Sequence, residues 1–390
     1  MTLPTGLPAA VAARLPRLCE ELAALVNIDC GSYTPDGVNQ VADRVAGWLS
    51  DLGAAVERMP HRPAEGEPPL GDLLIGRIAG TGARLLLIGH MDTVFDPGTA
   101  AARPYRTEGR RAFGPGVTDM KGGLLAGLHA IAALHEVGVK PAITFVANPD
   151  EEIGSLFSTP HIRALAAEHD AAFVLECARA NGDIVSARKG IADYEITVTG
   201  RAAHAGVEPE KGRSAILEAA RQVIALHALN GRWPGVTLNA GMIQGGTRPN
   251  VVAAACRIEL DLRATTTAAF DTAAATVEAL VTHPSLDGVS ATLRRIAGHP
   301  PMEKSAAGAR LVALAREIAA ELGFAVNDAA TGGASDANTT SAVGLPSLDG
   351  LGPVGGDDHS VDEWLDLDSI VPRTALLAGL LARAGEALGR

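Results

Sequence analysis

Residues 84–92 read RLLLIGHMD, an apolar run that ends in His-x-Asp. Side chains on extended chain alternate in direction, so His90 and Asp92 share one side if the extension persists. A metal-bound histidine commonly donates its second ring N–H to a carboxylate, and Asp92 is placed for that. A polar strand end facing solvent is the alternative. Residues 113–123, FGPGVTDMKGG, form a Gly/Pro loop with Asp119 at its end, just before a helical pattern. Asp119 can cap that helix, hold a metal, or do both. Beyond the apolar run AITFVA come Asp150, Glu151 and Glu152 in NPDEEIGS. Three adjacent carboxylates repel unless they are solvated or neutralised by a cation. Neighbours in extended chain point apart, so Glu151 and Glu152 differ in role: one can bind metal while the other works as a base. A third apolar run, AAFVLEC, ends on Glu176, and a carboxylate on a buried strand needs a partner that a metal would supply.

His359, in GLGPVGGDDHSVDEW, is the residue that can complete the set. Two histidines with several carboxylates suit hard or borderline divalent metals, zinc above all. One carboxylate can bridge two ions about 3.5–4 Å apart, the spacing of two-metal hydrolases. Three ligand carboxylates against two divalent ions leave a net positive charge, which favours a bound hydroxide and an anionic substrate. Other candidates keep plainer readings. His61 and His161 read as surface residues, His129 and His135 as structural residues of a helix, and Cys177 as a packed thiol.

The elements that must position these residues follow from periodicity. The runs at 84–88, 142–147 and 171–175 are short and apolar, and Met120, Leu124, Leu125, Leu128, Ile131 and Leu134 recur between them at helical spacing. Buried strands separated by helices indicate an α/β domain with a mostly parallel central sheet flanked by helices. Ligand sites in such sheets lie beyond the carboxyl ends of the strands. From about residue 188 the texture changes. Residues 193–199 and 256–263 alternate polar and apolar, and helical patterns fall near 213–229 and 267–282. After Pro300 long helical patterns return, at 308–322 and 368–388, around a Gly-rich stretch at 331–359. The expected organisation is one discontinuous α/β domain, 1–187 with 300–390, interrupted by a small α+β domain at 188–299.

Composition narrows the function further. At 390 residues the chain can bury a large core without disulfides. Its net charge of −12 argues against partners such as nucleic acid or an anionic membrane. With 3 Trp, 3 Tyr and 7 Phe, stacking platforms for bases or carbohydrate are not expected. The four cysteines are scattered without a C-x-x-C pair, which fits a reducing cytoplasm. The first 26 residues lack a basic leader and read as an amphipathic helix, not a signal peptide. No apolar run reaches the length of a membrane span. G-x-S-x-G, H-E-x-x-H and GK[ST] are all absent from the sequence.

Taken in order, HMDTV at 90–94, GPGVTDMKGG at 114–123, DEEIGS at 150–155, AHAG at 203–206 and GGASDA at 332–337 closely resemble the dinuclear zinc aminoacylase/carboxypeptidase family (peptidase family M-20). PEKGRSAI at 209–216 and GGTRPNVV at 245–252 look most like its glutamate carboxypeptidase branch. The resemblance implies that His90, Asp119 and Glu176 hold one zinc and that Asp119, Glu152 and His359 hold the other, with Asp119 bridging; Co2+ or Mn2+ are possible substitutes. Glu151 would be the general base and Asp92 the residue orienting His90. The inserted domain would be a lid and dimerisation domain. Within it, His204 would polarise the scissile carbonyl, with Asn250 and Arg263 on the substrate side. In family dimers His204 and Asn250 can come from the neighbouring subunit. One departure stands out: the branch commonly has an arginine before Pro-Pro-Met, whereas here His299 precedes Pro300, Pro301 and Met302. A histidine cannot make a bidentate guanidinium clamp on a carboxylate. The resemblance implies hydrolysis of a small amide or peptide that releases a C-terminal amino acid, by a homodimer. The alternatives are an amidohydrolase of N-carbamoyl or xenobiotic amides and a catalytically inactive metal-binding dimer.

Overall fold

A computed structural model describes residues 2–389. The chain divides into two compact units. One comprises Met1–Ser186, Lys304–Thr331 and Ser335–Arg390; the other comprises Ala187–Glu303 with Gly332–Ala334.

The first unit is built on a six-stranded sheet. Its strand order is Ala55–Met59, Leu73–Ile78, Pro141–Asn148, Thr81–His90, Ala171–Val174 and Ser347–Leu348. The last four strands run parallel. The second pairs antiparallel both with the first and with Pro141–Asn148, so the sheet is mixed, with a parallel half that carries the site. The antiparallel edge arises from two segments, the largely exposed AVERM and LLIGRI, which is buried except at Arg77. The helices Gly122–Glu136 and Ile370–Leu388 pack on each other and against Thr81–His90, and Ala306–Glu321 packs on Ile370–Leu388. Gly122–Glu136 is buried on nearly all sides through Leu134. Each fully buried leucine there, such as Leu124 and Leu125, contributes about 1.5–3 kcal/mol of transfer free energy. Gly123 permits a close approach: a Cβ at that position would stand 1.9 Å from the Leu175 carbonyl oxygen. The start of this helix is thereby held against the end of the Ala171–Val174 strand, one residue before Glu176.

The second unit is a four-stranded antiparallel sheet in the order Thr237–Gly245, Ala255–Ala264, Gly190–Thr199, Ser290–His299. Its register sets Ile258 opposite Ile196 and Cys256 opposite Val198, so the buried residues of one strand face those of the next. The helices Ala215–His227 and Thr267–Thr282 cover the core, capped by Ser214, which accepts from Leu217 N–H, and Thr266, which accepts from Ala269 N–H. This unit runs beyond 188–299 because Arg188 and Met302 exchange main-chain hydrogen bonds and Glu303 accepts from Thr267. Gly332–Ala334 joins it because the Arg263 and Arg188 guanidinium groups donate to the carbonyls of Gly332 and Gly333. Among the described residues, no helix is long and apolar enough to cross a membrane.

Candidate active site

The carboxyl ends of three neighbouring parallel strands deliver the first half of the site. His90 is the last residue of Thr81–His90, Glu151 and Glu152 follow Pro141–Asn148, and Glu176 lies two residues past Ala171–Val174. A smaller antiparallel sheet delivers the rest. Its strands are Gly355–Gly356, Trp364–Asp366, Arg111–Phe113 and Arg106–Glu108. His359 sits on the turn between the first two, and Arg111–Phe113 leads into the loop that carries Asp119. Asp357 and His359 both adopt left-handed backbone conformations (φ 58° and 61°). Such conformations are costly for non-glycine residues and cluster at functional sites.

Asp119 lies between the two histidines. Its Oδ1 is 3.1 Å from His90 Nε2 and its Oδ2 is 3.0 Å from His359 Nε2. Glu152 Oε2 is 3.1 Å from His359 Nε2, and Glu176 Oε1 is 3.8 Å from His90 Nε2. Ligand atoms of His90, Asp119 and Glu152 lie within 4.8 Å of one another, as do those of His90, Glu151 and Glu176. The electrostatics follow from this crowding. Burial pushes Asp119 up, but hydrogen bonds from His359 and His90 win and hold it well below the usual carboxylate range. Hydrogen bonds to Asp119 and Glu152 raise His359 to about 11. Burial opposes the charged form of His90, yet its bonds to Asp119 and Asp92 keep it well above its ordinary value. Glu151 has no such partner: burial and the charge of Glu176 push it well above the carboxylate range. The donor set fits divalent cations, which would replace the imidazolium charges as counter-ions to the carboxylates.

Asp92 is buried and ties this cluster together. The contact to His90 Nδ1 at hydrogen-bond distance is the Asp92 main-chain oxygen, at 3.0 Å, with the carboxylate 3.4 Å away. The carboxylate itself accepts from the main-chain N–H groups of Glu151 and Glu152, both at 3.2 Å, and from the Ser32 hydroxyl at 2.7 Å. It thus sets the turn that aims the two glutamates. Asp150, the first acid of the triplet, turns away from them and accepts from Phe157 N–H at 2.7 Å and from the Ser158 hydroxyl.

Three further residues escaped the sequence reading. Glu363 is 1% exposed, and its carboxylate accepts from the N–H groups of Gly116, Thr118 and Asp119 at 2.8, 2.9 and 3.1 Å. The buried Lys121 ammonium donates to the carbonyls of Pro115 and Ile28 beneath the same loop. Asp336, buried, accepts from the Ser155 hydroxyl and the Asn148 amide. Glu363 and Asp336 occur in stretches that carry other candidate signals, but nothing in residue type or spacing separates them from solvated acids.

The remaining candidates belong to the second unit. His204 and Asn250 lie on paired exposed segments, with a bridge between His204 and Val251 and a bond from Ala205 N–H to Asn250 O. Arg263 and His299 both pair with Ile191, from either side, so they occupy one row and one face of that sheet. Arg263 is held by Asp261 at 3.0 Å, and His299 is buried. Elsewhere, His129 is fixed between Glu21 and Arg14. His61 and His161 are half-buried on either side of Phe157. The Cys177 thiol is raised well above its ordinary value by burial, which makes it a poor nucleophile. All four cysteines are free.

Comparison with known proteins agrees with this arrangement. Residues 86–383 match the family described as Peptidase family M20/M25/M40. The chain is 31% identical over 376 residues to carboxypeptidase G2 of Pseudomonas sp. (strain RS-16), covering 95% of this chain and 90% of that protein. It is 30% identical over 262 residues to acetylornithine deacetylase of Myxococcus xanthus, covering 64% of this chain and 67% of that protein. Its fold is similar to that of aminopeptidase PepT from Bacillus cereus ATCC 10987, with a TM-score of 0.77, 24% identity, and coverage of 96% of this chain and 99% of that one. The chain belongs to peptidase family M20/M25/M40 and is a metal-dependent hydrolase of amide bonds.

Proposed function

We propose that the chain uses two zinc ions to hydrolyse the amide bond of a peptide or N-acyl amino acid and releases a C-terminal amino acid. The Asp119 carboxylate carries this reading, because it offers one oxygen toward His90 and the other toward His359. His90, Asp119 and Glu176 would hold one ion, and Asp119, Glu152 and His359 the other. Ions bound there would supply Lewis acidity and a water acidified toward neutrality. Glu151 takes the proton of the attacking water and returns it to the leaving nitrogen. Burial beside Glu176 raises its proton affinity in the metal-free protein, and the charge of cations bound next to it would return it to the ionised form that must accept that proton. Asp92 keeps that base aligned through the Glu151 N–H.

In the second unit we assign His204 to polarising the carbonyl, and Asn250, Arg263 and His299 to the leaving amino acid. The common row of Arg263 and His299 supports a joint role toward a carboxylate. We further assign this unit the lid and dimerisation role. The outer strand Thr237–Gly245, with Met242 and Ile243 half-exposed, supports pairing with a second copy. The free cysteines support a cytoplasmic location. The test is a mass-spectrometric screen of dipeptides, N-acyl amino acids and N-carbamoyl amino acids, with zinc-loaded and chelated protein. Zinc-dependent release of amino acids from the first two classes is expected. Cleavage confined to N-carbamoyl substrates, or to none, overturns the assignment.

A further inference from the structure

Residues 355–364 read GGDDHSVDEW, two glycines and a run of acids around His359 that ends on Trp364. The two histidines of the site are held very differently. His90 ends a buried strand and is 1% exposed, whereas the His359 side chain, on a turn, is 54% exposed. Asp357 and His359 are both left-handed, and non-glycine residues stay so only where their surroundings over-determine them. Burial cannot do this for an exposed turn, so directed contacts must. The Trp364 indole donates to the Asp357 carboxylate, with Nε1 2.9 Å from Oδ2. The Ser360 hydroxyl and N–H close the turn onto the Asp357 carbonyl at 2.6 and 3.2 Å, and Arg103 donates to the Ser360 carbonyl at 3.0 Å. The indole is itself fixed. The Arg111 guanidinium lies 3.9 Å from its ring centroid, and Gly356 lets the ring rest on the main chain, since a Cβ there would stand 3.2 Å from it. Trp364 pairs with Gly356 on one side and Phe113 on the other, and the Phe113 strand leads into the Asp119 loop. One ring thus joins the two segments that bring His359 Nε2 within 3.0 Å of Asp119 Oδ2.

We propose that Trp364 is a positioning residue for the metal site: through Asp357 it holds the His359 turn facing Asp119 and Glu152 before a cation arrives. This role rests on the reading of His359 as a ligand and adds the group that aims it. The residue type suits the task. An indole offers a flat face to the guanidinium and an N–H at the ring edge to the carboxylate, and a bond to an ionised acceptor is stronger than one between neutral groups. A ligand that already stands in place spares binding the cost of ordering it. Without the indole bond, the turn keeps its two left-handed residues but loses one of the contacts that hold them so.

The test titrates zinc into chelated protein by calorimetry, with His359→Ala as the reference. Trp364→Phe keeps a ring for Arg111 and removes the N–H. It should weaken the ion that His359→Ala loses by about 10–100-fold, as for other residues that orient ligands, and leave the other ion within about threefold. Asp357→Gly removes the acceptor but suits the left-handed backbone, so it should fold and show the same loss. Combined with Trp364→Phe it should cost little more, because both changes break one bond. Asp357→Asn keeps an acceptor oxygen and should bind within about threefold of wild type. If His359→Ala loses an ion that Trp364→Phe and Asp357→Gly bind undiminished, the positioning role is overturned while the ligand reading stands. Equal weakening of both ions, or losses that multiply in the double variant, overturns it too. If His359→Ala binds zinc as the wild type does, the ligand reading and the positioning role fall together.

Discussion

Glu363 offers the sharpest test of how the site is held. Both of its oxygens accept, Oε2 from Gly116 and Oε1 from Thr118 and Asp119, the arrangement of an ionised carboxylate. Burial nevertheless pushes it up to about 7, against the pull of those three donors. A cation at the adjacent Asp119 would favour the ionised form and tighten the loop. Glu363→Ala removes three bonds to a charged acceptor, each worth about 1.5–3 kcal/mol net. Two effects offset that loss. The buried carboxylate no longer has to be desolvated, at several kcal/mol per ion, and water can enter the vacated space and satisfy some of the donors. The expected net destabilisation is about 2–4 kcal/mol. Glu363→Gln keeps the two bonds to one oxygen but turns an amide N–H2 toward a main-chain N–H, so it should cost less, about 1–2 kcal/mol. The loop also presents Asp119, so metal affinity should fall about 10–100-fold, as for other residues that orient ligands. Denaturant unfolding of the chelated protein and calorimetric zinc titration measure the two effects separately. A Glu363→Ala protein within about 0.5 kcal/mol of wild type in stability and about twofold in zinc affinity would refute the claim that these bonds position Asp119.

Three other predictions concern the site directly. Glu151→Gln should retain near-normal metal content while turnover falls about 10²–10⁴-fold; full activity in that protein would remove Glu151 as the base. His359→Ala should lower bound zinc below two per chain by elemental analysis, and unchanged stoichiometry would exclude His359 as a ligand. The third is a pH effect in metal-free protein. Burial pushes Asp336 up to about 7, whereas an unfolded aspartate titrates near 3.9. The fold therefore binds a proton between those values that the unfolded chain does not. This contribution to stability is full below about pH 4 and is lost as the pH rises through about 7. Chelated protein should melt at higher temperature at pH 5 than at pH 7.5, and Asp336→Asn should reduce the difference, the remainder coming from Glu363, which is also raised to about 7; a flat profile in the chelated wild type would contradict the shift.

The acids of the candidate site are legible because their positions are physically anomalous. A carboxylate at the end of a buried apolar run carries a desolvation cost that only a partner offsets, and Glu151, Glu152 and Glu176 each follow such a run. The parallel strands are legible for the same reason, since burial on both faces leaves a continuous apolar signal. Ala55–Met59 and Leu73–Ile78 give a weaker signal: the first is an edge strand with exposed polar residues, and in the second Gly76 and the exposed Arg77 interrupt an otherwise buried apolar run. What holds the ligands leaves still less trace. Asp92 acts through main-chain donors at 151 and 152, and Glu363 through donors 244–247 residues away. A side chain that caps a distant loop is chosen by the geometry of that loop, and any backbone N–H serves it equally, so no residue type in the partner marks the pairing. The candidate ligands can therefore be picked out from one sequence, whereas the carboxylates that aim them emerge only when the loops are folded. If Glu363→Ala and Asp92→Ala weaken zinc binding without removing a ligand, the acidity of this chain serves two ends: acids that hold the metal, and buried acids that hold the loops carrying them.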